Sequence, residues 1–160
     1  MDENTFWVLY SHNTEPTLHP EAGKDGQPLQ RNAALEYVKE WRVCLDIGSN
    51  VGQWTRPLAK RFESVVCFEP NPNFRDCFKK NIPENNVVLW PYGLSDSEHS
   101  ARQGYNSTVL EKEDGDINCR TLDSFGLTNV DFVKIDVDGF ELPLLQGARQ
   151  TLTQNNPVVN

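Results

Sequence analysis

Asp46, Gly48 and Gly52 are spaced as D-x-G-x-x-x-G, directly after an apolar run and before a helical pattern. Glycine lets a backbone turn tightly and approach a ligand where a Cβ would collide, and the first N–H groups of the next helix lack partners within it. A dinucleotide site usually shows G-x-G-x-x-G, because it holds a pyrophosphate. Here Asp46 would meet a bound phosphate with like charge. The spacing therefore favours a cationic ligand without phosphate.

A second acidic residue, Glu69, follows the short apolar run 65–68 and precedes Pro70 and Asn71. The run is partly β-branched and fits a strand that is buried on both faces. An acidic residue about 20 positions after a glycine loop, at the carboxyl end of the next strand, commonly accepts hydrogen bonds from ribose hydroxyls. We therefore expect Glu69 to bind a ribose, within the same βαβ unit as the glycine loop.

Apolar periodicity predicts the elements that must position these residues. A helix after the glycine loop would bury Trp54, Leu58 and Phe62 at i, i+4 and i+8. Asn71 can cap a further helix that has Pro72 at its first position and ends before Pro83. An amphipathic helix over 31–41 is expected to present Ala34, Tyr37, Val38 and Trp41 on one face.

The same patterns continue to the end of the chain. We expect strands at 87–90 and 131–136, and the start of another at Val158. A helix over 139–152 would turn Leu145, Ala148 and Leu152 inward, and a hairpin is plausible between 97 and 120, with Asp114 and Gly115 separating Val109 and Leu110 from 117–122.

Strands that alternate with helices predict an α/β fold: a doubly wound, mainly parallel Rossmann-like sheet with helices on both faces and right-handed crossovers. Polar residues at four strand ends would then line one crevice. They lie at 46–50, at 69–71, at Ser95 with Asp96, and at 136–141.

Charge and cysteine content limit the partners and the compartment. Of 160 residues, 15 are basic and 23 acidic, which gives a net charge of −8 and makes binding to nucleic acid or to an anionic membrane unlikely. Neither a signal peptide nor a membrane span can be drawn in the sequence. The four cysteines include no C-x-x-C pair, so we expect reduced thiols and a cytoplasmic protein.

The segment 131–142 resembles the FkbM family of S-adenosylmethionine-dependent methyltransferases. The family hallmark KIDVEGxE is followed by a leucine-rich helix with a Gly-Ala pair, and this chain has KIDVDGFE followed by Gly147 and Ala148. The D-x-G-x-x-x-G spacing resembles motif I of the class I methyltransferases, and Leu122 with Asp123 precedes the hallmark. Asp138 replaces the usual Glu. Family members complete a fifth strand and add two more, so the chain resembles a C-terminally short or minimal version.

The resemblance implies a class I methyltransferase that uses S-adenosylmethionine, releases S-adenosylhomocysteine and methylates a hydroxyl of a small molecule or glycan. Residues 1–40 would form an amino-terminal arm and helix that could act as a lid, and 41–160 the cofactor-binding domain. The implied cofactor-binding residues are Asp46, Gly48, Ser49, Asn50, Gly52, Glu69, Pro70, Asn71, Ser95, Asp96 and Asp136. The implied catalytic residues are Asp136, Lys134, Asp138 and Glu141, with no metal.

Structural roles compete with these assignments. Asp46 could cap its turn, Glu69 could be an exposed strand end, and Asp138 and Glu141 could be charges favoured at a helix N-terminus. Lys134 could pair with one of the carboxylates of the hallmark, and three carboxylates there could also hold a divalent metal. His12 and His19 would matter only if the arm closes over the crevice.

Three classes of function remain open from the sequence: the methyltransferase, an inactive cofactor-binding or interaction module with the same fold, and a nicotinamide-dependent oxidoreductase. The glycine spacing disfavours the last. An exposed sheet edge at Val158 and Val159 also makes a homo-oligomer a reasonable expectation.

Overall fold

The computed structural model describes residues 4–9, 15–23, 27–103, 110–111 and 115–160. The strands are β1 (Phe6–Val8), β2 (Thr17–His19), β3 (Val43–Ile47), β4 (Ser64–Phe68), β5 (Val87–Trp90), β6 (Gly93–Leu94), β7 (His99–Gln103), β8 (Leu110–Glu111), β9 (Ile117–Arg120), β10 (Val130–Ile135) and β11 (Val158–Val159). The helices are α1 (Pro28–Leu35), α2 (Thr55–Ala59), α3 (Pro72–Asn81), α4 (Glu141–Gln146) and α5 (Arg149–Asn155), with a 3₁₀ helix at Leu122–Phe125.

A parallel sheet in the order β11-β10-β3-β4-β5 forms the centre of the fold. The chain runs outward from β3 through β4 to β5, and then returns to place β10 on the other side of β3. The strand order therefore reverses between β3 and β10. In open α/β sheets, ligands bind at the carboxyl ends of the strands beside such a reversal. The predicted doubly wound α/β fold is confirmed.

Both faces of this sheet are covered, which explains why its strands are mostly apolar. The buried side chains on one face come from the segments around α1, α2 and α3, and they include Leu35, Trp54, Leu58, Phe62 and Phe78. Those on the other face come from the 3₁₀ helix, α4 and the turn before α5, and they include Leu122, Leu144 and Ala148. The predicted burial of Trp54, Leu58 and Phe62 is confirmed.

The expected helix over 139–152 is two helices, α4 and α5, which meet at Gly147 and Ala148. A Cβ on Gly147 would lie 2.0 Å from the carbonyl oxygen of Ser95, so the chain passes too close to that segment for any other residue. Leu144 is fully buried, whereas Leu145, which was expected to point inward, is 39% exposed.

Two further expectations differ from the structure. The helix α1 ends at Leu35 and leaves Tyr37 75% exposed, although Val38 is buried as expected. Antiparallel pairing does form between 97 and 120, but it joins β7 to β8 and β7 to β9, so no β8–β9 pairing forms between the described residues. Val109, which was assigned to that hairpin, lies outside the described residues.

The amino-terminal strands β1 and β2 pair in antiparallel fashion, and β1 packs on α3. His12 lies outside the described residues, so closure of this arm over the crevice stays a prediction. His19 ends β2, where its Nδ1 accepts a hydrogen bond from the Glu21 amide at 3.3 Å. No helix in the described part of the chain combines the length and apolarity that crossing a bilayer requires.

Candidate active site

A solvent-open cleft lies at the carboxyl ends of β3, β4 and β10. It brings together residues from all of the polar strand ends except that of Ser95 and Asp96. Its lining residues are Ile47, Gly48, Asn50, Phe68, Glu69, Pro70, Phe74, Tyr92, Gly93, Leu94, Asp136, Val137, Asp138 and Phe140.

The glycine turn, residues 48–52, packs closely against neighbouring segments of the chain. A Cβ on Gly48, where φ is +74°, would lie 1.9 Å from the carbonyl oxygen of Asp136. A Cβ on Gly52 would lie 2.6 Å from Ile82 Cγ1. The amides of Gly48 and Ser49 donate to the carbonyl oxygen of Phe68 at 3.0 and 3.1 Å. Both glycines are thus required by neighbouring protein atoms, which fix the shape of the turn.

Asp46 and Lys134 form a buried ion pair inside the sheet, where β3 and β10 lie side by side in register. Asp46 is fully buried, and its Oδ1 lies 3.0 Å from Lys134 Nζ. The hydroxyl of Thr55 donates to Asp46 Oδ2 at 2.6 Å. Lys134 Nζ also donates to the carbonyl oxygens of Gly48, at 2.7 Å, and Ile47, at 3.3 Å. Lys134 thus neutralises Asp46 and supports the glycine turn from behind.

The structure leaves the predicted roles of these two residues as predictions. Asp46 is not among the cleft-lining residues. The ammonium of Lys134 already lies beside its carboxylate, in the position that a cofactor ammonium would take. The sequence suggested that Lys134 could pair with a carboxylate of the hallmark, but its ion-pair partner is Asp46. The side chain is 4% exposed, and most of its donors point into the protein.

Glu69 joins the glycine turn to the turn that follows β4. Its Oε2 accepts from the Asn50 amide at 2.9 Å and its Oε1 accepts from the Asn71 amide at 2.8 Å. The residue is 5% exposed and lines the cleft. Burial raises the pKa of Glu69 to about 7, although the hydrogen bonds from Asn71 and Asn50 act to lower it. Glu69 is thus a rigidly held, buried carboxyl group at the cleft wall.

Helix α3 begins next to Glu69 and fixes the neighbouring turn. Asn71 is its N-cap, as expected: the Asn71 Oδ1 accepts from the Asn73 amide at 2.9 Å, and Pro72 is at the first position. Arg75 donates to the carbonyl oxygens of Glu69, at 3.1 Å, and Pro70. The backbone after β4 is therefore fixed by hydrogen bonds from the Arg75 side chain as well as by the N-cap of α3.

The hallmark segment forms a tight turn after β10. Asp136 and Asp138 are exposed and line the cleft, and Asp138 and Gly139 have φ values of +46° and +97°. Glu141 lies in the first turn of α4, where its Oε1 accepts from the Gly139 amide at 3.2 Å. Asp136 and Asp138 thus line the cleft, while Glu141 stabilises the turn between β10 and α4.

Ser95 and Asp96, which the resemblance places among the cofactor-binding residues, do not line the cleft. Ser95 is fully buried and its carbonyl oxygen abuts Gly147, whereas Asp96 is exposed. The cleft wall in this region consists of Tyr92, Gly93 and Leu94 instead.

The sequence analysis missed the aromatic lining of the cleft. Phe74, Tyr92 and Phe140 come from α3, from the segment after β5 and from the residue before α4. Each lies within two residues of the end of a strand or helix at the crevice, which is the signal that could have pointed to them. Tyr92 belongs to an aromatic cluster with Trp90 and Phe125.

A second pocket adjoins the cleft and shares Gly48, Asn50, Asp136 and Asp138 with it. Its other lining residues are Ser49, Gln53, Trp54 and Lys134. The two spaces form a bipartite site, with Glu69 in one part, Lys134 in the other, and Asp136 common to both. Among the described residues, no group of three or more His, Cys, Asp or Glu side chains is arranged to hold a metal ion.

This parallel sheet, with its strand reversal beside a glycine turn, defines a class I methyltransferase fold. A solved structure of the FkbM methyltransferase from Methylobacillus flagellatus KT superposes with a TM-score of 0.54, at 20% identity, over 71% of this chain and 30% of that one. The sequence model of the methyltransferase FkbM domain matches residues 46–159. The chain belongs to the FkbM methyltransferase family.

The chain is also similar to a curated protein of named activity. The chain is 29% identical over 138 residues to the hexuronic acid methyltransferase AglP of Haloferax volcanii. The match covers 78% of this chain, and the chain spans 57% of that relative's length.

Proposed function

We propose that this protein is an S-adenosylmethionine-dependent methyltransferase that methylates an oxygen of a small molecule or glycan. The observation that carries the proposal is the bipartite site: a buried carboxyl group, Glu69, in the cleft, and an exposed carboxylate, Asp136, where the cleft meets the second pocket. Membership of the FkbM family supports it.

The cleft suits the adenosine half of the cofactor. Glu69 would accept hydrogen bonds from the ribose hydroxyls, because its two oxygens are fixed by the amides of Asn50 and Asn71. The apolar walls formed by Phe68, Tyr92 and Leu94 would take the flat base. Pro70 is also part of the cleft wall.

The second pocket suits the methionine half. Asp136 is the exposed carboxylate shared by the two spaces, so it would bind the cofactor ammonium more directly than the buried Asp46. Lys134 also lines this pocket, and its ammonium, which is paired with Asp46, would hold the glycine turn beside the methionine half. Ser49 and Asn50 complete this wall, while Gly52 is packed against Ile82.

The cofactor supplies an electrophilic methyl group on a sulfonium. The protein's main task is therefore to align the acceptor oxygen with that group, and alignment can contribute about 7–11 kcal/mol. Asp136 and Asp138 are exposed at the cleft, so either carboxylate can accept the proton of an acceptor hydroxyl. A general base of this kind adds about 10²–10⁴-fold in rate. Lys134 and Glu141 support the turns that carry these groups.

A hexuronic acid, the substrate named for the curated relative, offers both hydroxyl and carboxyl oxygens as methyl acceptors. We propose a hydroxylated sugar or a related small molecule as the acceptor, with transfer to a hydroxyl oxygen. The acceptor would enter beside Asp138 and Phe140, which line the cleft at the carboxyl end of β10.

Two measurements test the function. Titration calorimetry with S-adenosylhomocysteine should show binding by the wild type and weaker binding by Glu69→Ala. Purified protein should then transfer label from methyl-labelled S-adenosylmethionine to hexuronic acids, and Asp136→Asn should reduce this transfer at least as much as it reduces cofactor affinity. Label that survives mild alkali is an ether and label that is released is an ester, which decides between hydroxyl and carboxyl transfer.

An inactive cofactor-binding module is the second candidate. Two of the four predicted catalytic side chains, Lys134 and Glu141, make structural contacts that would persist without catalysis. Binding of S-adenosylhomocysteine without methyl transfer to any hydroxylated metabolite or sugar in a broad screen would favour the module.

A further inference from the structure

Asn81, the last residue of α3, lies between the strand β1 and the glycine turn and hydrogen-bonds to both. It is 2% exposed. Its Oδ1 accepts from the Trp7 amide at 2.7 Å, and its Nδ2 donates to the Trp7 carbonyl oxygen at 2.9 Å. The same Nδ2 donates to the carbonyl oxygen of Val51, inside the glycine turn, at 2.8 Å. One buried side chain therefore joins β1 to the turn.

The glycine turn is held between this side chain and the cleft. On the cleft side, Glu69 accepts from the Asn50 amide at 2.9 Å. On the other side, the close approach of Gly52 to Ile82 brings the turn against the end of α3, within reach of Asn81. A shift of Asn81 would thus release the turn on the side opposite the ligand-binding groups.

Additional contacts fix β1 on the same surface. Phe6 is 1% exposed and packs in one cluster with Val51 of the glycine turn. The Arg56 guanidinium lies 4.3 Å from the centre of the Phe6 ring and donates to the Asn81 carbonyl oxygen. Lys80 Nζ lies 4.2 Å from the centre of a Trp7 ring. The arm, the turn and the end of α3 thus form one packed unit.

We propose that Asn81 is a positioning residue that couples docking of the β1 strand to cofactor binding at the glycine turn. The proposal rests on the proposed function, because the ligand concerned is the cofactor. When β1 is docked, the backbone N–H and C=O of Trp7 bind the Oδ1 and Nδ2 of Asn81, and so orient this Nδ2 toward the carbonyl oxygen of Val51. Without Trp7 the amide loses two of these hydrogen bonds and is free to turn away. Such coupling is reciprocal, so the cofactor also strengthens docking of β1.

Asn81→Ala tests the coupling, and Asn86→Ala is the matched control. Asn86 likewise donates from its Nδ2 to two backbone carbonyl oxygens, those of Ala59 at 2.9 Å and Phe62 at 3.0 Å, but these lie outside the turn and the arm. We expect Asn81→Ala to lower the affinity for S-adenosylhomocysteine by about five- to fiftyfold. Asn86→Ala should leave that affinity unchanged. Equal affinities in the two variants would overturn the proposal.

Amide hydrogen exchange keeps the proposal testable if Asn81→Ala folds poorly. Trp7→Ala keeps the backbone groups that bind Asn81 but removes the ring that packs against Lys80 and so should loosen β1. We expect faster exchange in both β1 and residues 48–52 of the ligand-free protein. In the wild type, S-adenosylhomocysteine should slow exchange in β1 as well as in the turn. Slowing confined to the turn, or a turn unaffected by Trp7→Ala, would refute the coupling.

The two proposals fail in different ways. A wild type that does not bind S-adenosylhomocysteine would contradict the proposed function. The exchange of the ligand-free Trp7→Ala variant would still decide whether β1 and the glycine turn are coupled through Asn81.

Discussion

Glu69 is the residue at which burial and hydrogen bonding oppose each other most clearly. Burial favours the neutral carboxyl, while two backbone amides favour the carboxylate, and the result is a pKa of about 7 against an ordinary value of 4.5. The folded protein therefore holds this proton more tightly than the unfolded chain. The contribution of Glu69 to stability is greatest below pH 4.5 and is lost as the pH rises through about 7.

This raised pKa predicts pH-dependent cofactor binding. Ribose hydroxyls donate to the ionised carboxylate, so binding should release the Glu69 proton, and affinity for S-adenosylhomocysteine should rise about three- to tenfold between about pH 6 and pH 8. Calorimetric titrations across this range measure the change. Glu69→Gln should bind about tenfold more weakly at pH 8, because it loses a charged acceptor, and its affinity should no longer vary with pH.

Asp136→Asn is the control for this prediction. It removes a second carboxylate from the cleft but leaves Glu69 in place, so binding should weaken while its rise with pH persists. A pH dependence that survives Glu69→Gln would contradict the assignment of this titration to Glu69.

The buried ion pair of Asp46 and Lys134 is the second feature at the scale of single residues. Asp46 is fully buried and Lys134 is 3% exposed, so removing one partner leaves an uncompensated charge inside the sheet. We predict that Lys134→Met lowers the free energy of unfolding by about 3–5 kcal/mol, as measured by urea denaturation.

The double variant Lys134→Met/Asp46→Asn separates a structural role of Lys134 from a catalytic one. Removal of both charges should restore most of the lost stability. Methyl transfer should then return with it if Lys134 acts only by neutralising Asp46. A stable double variant that binds cofactor but transfers no methyl group would show that Lys134 takes part in the chemistry.

At the scale of elements, the reversal between β3 and β10 depends on the close approach of Gly48 to the Asp136 carbonyl. Alanine at this position would meet that oxygen at 1.9 Å as well as adopting a left-handed backbone. Gly126→Ala is the matched control, because Gly126 has a φ of +60° and open space around its Cβ position.

We predict that Gly126→Ala lowers the free energy of unfolding by about 1–2 kcal/mol, the cost of the left-handed conformation alone. Gly48→Ala should lose clearly more, and it should also weaken cofactor binding because Asp136 must move. Urea denaturation and calorimetry of both variants check this. Equal losses of stability would mean that the contact between Gly48 and Asp136 is relaxed in solution.

Local sequence patterns predicted the helices and strands better than they predicted which of these elements contact one another. The start of α3 could be predicted because Asn71 and Pro72 act within a few residues of each other, and the buried face of the segment 54–62 because its periodicity is local. The ion pair of Lys134 with Asp46 could not, since it depends on which strands lie side by side and in what register. The break at Gly147 and the aromatic cleft wall likewise depend on contacts between segments distant along the chain.

For the molecule as a whole, cofactor binding should appear as a gain in stability, because a ligand that binds only the folded state stabilises it by mass action. At about 100 times its dissociation constant, S-adenosylhomocysteine should add about 2.7 kcal/mol, which raises Tm by roughly 5–10 °C for a chain of this size. NAD⁺ should give no comparable shift, because its pyrophosphate would meet the carboxylates of Asp136 and Asp138 and an overall net charge of −8.

Adenosine separates the two halves of the site in the same thermal experiment. It can use Glu69 and the aromatic walls of the cleft but not the second pocket, so its shift should be smaller than that of S-adenosylhomocysteine at equal concentration. In Asp136→Asn the two shifts should approach each other, since the missing carboxylate serves only the methionine half. Equal shifts for the two compounds in the wild type would show that the second pocket does not bind the methionine half and that the assignment of Asp136 fails. A larger shift with NAD⁺ would instead favour a dinucleotide site.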